Sequence, residues 1–146
     1  MQISVHWKSF EGDEDSGRAA LWPFFAYVTP DCEEILYIGK ANCGLAAKRS
    51  NESKGRNPLF RELAERRGIR EVELLSGTVR LPPGAQLTRD LLADIEAMLI
   101  YEFQPWGNVH ERDSLKEYYR PDLRVRCTWD WPAQLLAPEP EPAYVM

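Results

Sequence analysis

The chain has 146 residues, of which 44% are hydrophobic and 11% aromatic, with a formal net charge of −5. That length and apolar content fit one folded domain with a real core and exclude a disordered chain. No apolar run approaches the roughly 20 residues of a membrane-spanning helix, and the start, MQISVHWKSFEGDEDSG, lacks a basic region followed by an apolar one, so a cytoplasmic protein without a membrane partner is expected.

Ile3, Val5 and Trp7 alternate with Ser4, His6 and Lys8, the pattern of a half-buried strand. Val125, Cys127 and Trp129 alternate in the same way near the other end. The two segments are expected to pair and extend a sheet. Residues 11–18 read as an acidic loop. Phe24–Thr29 and Ile35–Lys40 flank Pro30-Asp31-Cys32-Glu33-Glu34, a turn composition, and should form a hairpin. Asn42 can cap a helix running to about Ser53, with Leu45 and Arg49 on one face. Asn57, Pro58 and Gly68 are the start and stop signals of the next helix, with an apolar face of Leu59, Phe60, Leu63 and Ala64. Val72 and Leu74 support a third strand within Glu71–Val79.

After the Leu81-Pro82-Pro83-Gly84 loop, Thr88 or a neighbour opens the main helix, which runs to about Phe103 and ends before Pro105. Its expected stripe is Leu91, Leu92, Ile95, Met98, Leu99 and Phe103. Glu96 sits beside that stripe, where a partly desolvated carboxylate calls for a metal ion or an arginine. Residues 137–146, rich in Pro and Glu, read as an extended tail to a single domain of 1–136. Cys32, Cys43 and Cys127 lack metal-site spacing and read as reduced, structural thiols.

Charge is unevenly spread. Acid gathers in Glu11–Asp15 and in the tail, while cations from Lys40 through Arg49, Arg56 and Arg61 to Arg70 dominate the middle. A local basic face suits a phosphate backbone. Two tyrosines, a lysine and an arginine on adjacent elements suit phosphodiester chemistry: cations neutralise the phosphate and a weak acid manages the proton of the attacking water.

These residues also carry a resemblance. Phe25-Ala26-Tyr27, then Tyr37-Ile38-Gly39, then Arg49, then Glu96 in the main helix, then Pro105-Trp106-Gly107-Asn108 resemble, in that order, the motifs of the GIY-YIG nuclease superfamily. The likeness spans roughly residues 24–108. It implies an α/β fold, with a small, mainly antiparallel sheet built on the tyrosine hairpin and a third strand, flanked by helices. It further implies a metal-dependent endonuclease acting on DNA, branched or flapped DNA included; RNA stays open as an alternative substrate, and a protein partner or homodimer is a further expectation.

By that likeness Glu96 holds one Mg²⁺ or Mn²⁺ completed by water, and Arg49 braces the phosphate. Tyr27 or Tyr37 serves as general base with a phenol pKa lowered by nearby cations, Lys40 among them. Gly39 permits close backbone approach, and Asn108 either orders the site wall or caps a turn. The first tripeptide lacks the family's glycine and isoleucine, and Ser53 stands where many members carry histidine or tyrosine. Either a hairpin tyrosine moves the proton, His6 or His110 folds into the site, or the domain is a silent nucleic-acid-binding or interaction module. Trp106, Tyr118, Tyr119, Trp129 and Trp131 are candidates for base stacking, with core packing favoured for the tryptophans.

Overall fold

Alternate positions of the first strand are sealed from water. Ile3, Val5 and Trp7 are at most 1% exposed in β1 (Gln2–Ser9), while Ser4, His6 and Lys8 face outward. The computed structural model describes residues 1–9, 24–40, 58–110 and 112–137. The expected helix after Asn42, with Arg49 and Ser53, the N-cap Asn57, the acidic loop and all of the tail but Ala137 lie outside these residues.

β1 pairs with β5 (Arg124–Trp129), as the matched alternation predicts. Gln2 lies opposite Arg124 and Trp7 opposite Trp129, so the pairing is parallel. The other pairings, of β1 with β4 (Glu73–Arg80) and of β2 (Phe24–Val28) with β3 (Ile35–Lys40) and β4, are antiparallel. The result is a mixed five-stranded sheet in the order β3-β2-β4-β1-β5, an α/β fold of the expected class. β2 is buried at every position because it is internal to the sheet and covered on both faces. Its unbroken apolar run FFAYV fits that place.

The hairpin turn is held by side chains. Thr29 Oγ1 accepts the backbone N–H groups of Glu33 (3.0 Å) and Glu34 (3.1 Å), and Cys32 takes a left-handed φ of 54°. The predicted helix begins at Pro58, but only Pro58–Glu62 (α1) is α-helical; Leu63–Arg67 widen into a π turn. Gly68 closes it in the left-handed conformation, φ 68°, with Ile69 N–H bonded to Leu63 O at 3.0 Å.

The main helix α2 is Arg89–Phe103, with Thr88 as N-cap accepting from Leu91 N–H at 3.1 Å. Its core contacts centre on Ile95 and Leu99, as the stripe predicts, but Ala97 and Ile100 are buried too. The sequence pattern missed them because the segment after residue 112 folds over a second side of the helix. The main core joins α2 to one sheet face: Ile3, Val5, Trp7, Phe24, Ala26, Val28, Ile38 and Leu75. Trp7 stacks on Trp129 with ring centres 6.2 Å apart, and Phe103 meets Trp129 edge-on. On the opposite face Phe25, Tyr27 and Leu74 form a smaller cluster with Tyr37, Leu59 and Phe60. No helix among the described residues is long and apolar enough to cross a membrane.

Candidate active site

Period-2 alternation puts Tyr27 and Tyr37 on the same face of the hairpin, directly opposite in register, with ring centres 6.2 Å apart. Their surroundings differ. Tyr27 is 1% exposed, wedged edge-on against Phe25 (5.2 Å) and Phe60 (4.9 Å). Tyr37, on the sheet's edge strand, is only partly buried. Gly39 lies opposite Phe25, and a Cβ there would come within 2.9 Å of both the Phe25 and Tyr37 rings. Its role is to admit two aromatic rings at the end of the strand.

Lys40 ends β3, and Glu96 reaches it from α2. The Lys40 ammonium and the backbone at Lys40 both act to stabilise the Glu96 carboxylate. Even so, burial wins and holds the Glu96 carboxyl above the usual carboxylate range, with Lys40 offsetting only part of that shift. The Tyr37 phenol is raised as well, first by burial, then by the negative charge of Glu96, then by Tyr118. For Tyr37 this corrects the expectation of a phenol lowered by cations: among the described residues the charge that acts on it most is the Glu96 carboxylate.

A cleft of about 250 Å³ opens beside Glu96, walled by Ala97, Ile100, Arg112, Glu117 and Tyr118. Arg112, at the rim, pairs with Glu117 at 3.3 Å and lies 5.9 Å from the centre of the Tyr118 ring. Arg120 holds the wall in place: its Nε donates to Asp94 Oδ1 at 2.8 Å and its Nη1 to Glu117 O at 2.6 Å. Sequence reasoning offered Tyr118 only as a stacking candidate and did not single out Arg112. Nothing in the irregular run after Asn108 signals that it folds against α2.

Of the two roles expected for Asn108, its side chain ties α3 (Trp106–Val109) to β3 rather than capping a turn. It bonds both the N–H and the C=O of Ile38 on the free edge of β3. The histidines have other partners. His6 Nδ1 lies 2.6 Å from Thr128 Oγ1 and its Nε2 3.0 Å from Asp130. His110 stacks on Trp106 at 4.0 Å, with Nδ1 2.6 Å from Trp106 O and Nε2 3.4 Å from Glu62 Oε2. Trp131 is 68% exposed, so core packing does not hold for every tryptophan.

Among the described residues no group of three His, Cys, Asp or Glu side chains could hold a metal. A single half-buried carboxylate at a cleft does not suit zinc, which wants three or four protein ligands. It does suit a hard ion that keeps most of its water, as Mg²⁺ does. Comparison with protein-family profiles, with curated proteins and with solved structures returned no match to this chain.

Proposed function

We propose that this chain is a metal-dependent endonuclease of the GIY-YIG type, hydrolysing phosphodiester bonds in DNA. The observation that carries the reading is the meeting of Tyr37, Lys40 and Glu96 at the free edge of β3, beside a cleft. The antiparallel Tyr27/Tyr37 pairing and the Asn108 clamp support it.

The residues divide the chemistry. Lys40 and the rim residue Arg112 supply positive charge for a phosphate, with Arg49 as the brace that the sequence offers. Tyr37, rather than the sealed Tyr27, can reach the attacking water. Its raised pKa keeps it a phenol, a hydrogen-bond donor that orients water and must be relieved of the Glu96 charge before it accepts a proton. Glu96 would hold Mg²⁺ or Mn²⁺, which when bound supplies Lewis-acid stabilisation at the leaving 3′ oxygen. The products are 5′-phosphate and 3′-hydroxyl ends. One such site cuts one strand, so double-strand cleavage calls for a homodimer or two successive events. On the same footing we place the protein in the cytoplasm.

One observation favours a second reading, a catalytically silent nucleic-acid-binding or interaction module: Tyr27 is packed as core and Tyr37 is held protonated. The test is incubation of supercoiled plasmid and branched DNA with Mg²⁺, Mn²⁺ or EDTA. Metal-dependent nicks that DNA ligase reseals support the nuclease. Salt-dependent binding of DNA without any cut supports the silent module.

A further inference from the structure

The face of the sheet that bears Tyr37 continues past the hairpin. Register carries it strand by strand: Gly39 is opposite Phe25, Phe25 opposite Ser76, and Ser76 opposite Lys8. Lys8 therefore lies in the same cross-strand row as Gly39, three strand spacings or about 14 Å away. Along β1 the face continues through His6 and Ser4, flanked by Thr78 and Arg80 on β4 and by Thr128 and Arg126 on β5. Arg124 follows, opposite Gln2. α2 covers the other face, so these side chains turn away from the main core.

This outer face is polar and cationic. Arg80, Arg124 and Arg126 are exposed, and none pairs with an acid among the described residues. Its one carboxylate among the groove residues, Asp130, is engaged by His6 at 3.0 Å. An open groove of about 570 Å³ runs over Ser4, Lys8, Thr78 and Arg80. On a chain of net charge −5, such a one-sided cluster marks a surface for a polyanion. Short hydroxyl side chains between the cations leave room for a backbone to approach and can donate to phosphate oxygens. Between Lys8 and Gly39 this face is covered, with Ser76 at 0% and Phe25 at 2% exposure, so a duplex would pass over that stretch to reach the β3 edge, about 19 Å or five to six base pairs from β5.

We infer that the outer face of β1, β4 and β5 is a docking platform for the phosphate backbone of duplex DNA, holding the duplex flanking the bond presented at the β3 edge. This rests on the nuclease reading for its choice of DNA, and it adds to that reading a second, non-catalytic contact surface.

The test is fluorescence anisotropy of a labelled 20-base-pair DNA duplex with the full chain in EDTA, where no cleavage occurs, over a range of salt. The variants are Arg80→Glu/Arg126→Glu, the milder Arg80→Gln/Arg126→Gln, and Arg89→Glu on α2 as the control, with folding checked by circular dichroism. The platform predicts at least about tenfold weaker binding for the charge reversal and a smaller loss for the glutamine pair. It also predicts a shallower salt dependence, by about 0.9 per lost phosphate contact. Arg89→Glu should shift binding less than about twofold. The inference falls if reversal on the platform weakens DNA binding no more than Arg89→Glu does. A protein that binds DNA through this face but never cuts it would keep the platform and overturn the nuclease. A protein that cuts DNA while ignoring the reversal would do the opposite.

Discussion

Asn108 closes a two-bond clamp on Ile38: Ile38 N–H donates to Asn108 Oδ1 at 2.9 Å, and Asn108 Nδ2 donates to Ile38 O at 3.0 Å. The amide side chain thus stands in for the missing neighbour strand at the edge of the sheet, one residue from Tyr37 and two from Lys40. Asn108→Ala leaves two partly buried backbone groups without partners and should cost about 2–3 kcal/mol. Asn108→Asp keeps the acceptor only and should cost less. Urea unfolding measures both, and a loss under about 0.5 kcal/mol for the alanine variant would contradict the clamp.

Gly107 should tolerate no side chain. A Cβ there would sit 2.7 Å from the Leu36 carbonyl oxygen and 2.8 Å from Leu59 Cδ1, so α3 would have to back away from β3. Gly107→Ala should cost about 1–3 kcal/mol through overpacking, read as a lower urea midpoint.

Glu96 links the site to pH. Its folded-state pKa is raised, chiefly by burial, so the native protein holds that proton more tightly than the unfolded chain does. The stability it contributes is present below the ordinary glutamate value and is lost as pH rises through the folded-state pKa. In metal-free buffer Glu96→Gln should therefore gain stability relative to wild type on going from about pH 4 to about pH 7. Thermal melts across that range check it, and a difference that does not grow with pH would contradict it.

Cys127 should be inert in the folded protein. Burial first, opposed by the Trp7 indole N–H at 3.4 Å and aided by Glu102, pushes its thiol up to about 12. In a Cys32→Ser/Cys43→Ser variant at pH 8, reaction with an aromatic disulfide should be at least about a hundredfold slower than in denaturant, because the thiolate is the reactive form. Equal rates would contradict the placement.

The sheet was legible where side chains alternate. Ile3, Val5 and Trp7 foretold β1, and the matching pattern of Val125, Cys127 and Trp129 foretold its partner, though alternation carries no direction and the parallel sense had to come from the fold. Thr88 and Gly68 work as the cap and stop that their chemistry suggests. The π turn at Leu63–Arg67 was not legible, since its residues are ordinary helix formers. At the site, spacing put Tyr27 and Tyr37 on one face but could not tell which would be sealed by Phe60, a contact made by a separate helix. The Tyr37 shift was misread for the same kind of reason: Lys40 is near in sequence, whereas Glu96 arrives from a distant helix. Arg112 and Tyr118 join the cleft only through tertiary folding, anchored by Arg120 on Asp94.

The most direct test of the central claim is single-turnover nicking of supercoiled plasmid in Mg²⁺ by wild type, Glu96→Ala and Tyr37→Phe. Wild type should nick. Glu96→Ala should abolish metal-dependent cleavage with the fold retained, and Tyr37→Phe should slow it by about 10²–10⁴-fold. Cleavage at the wild-type rate in Glu96→Ala would contradict the assignment of this site.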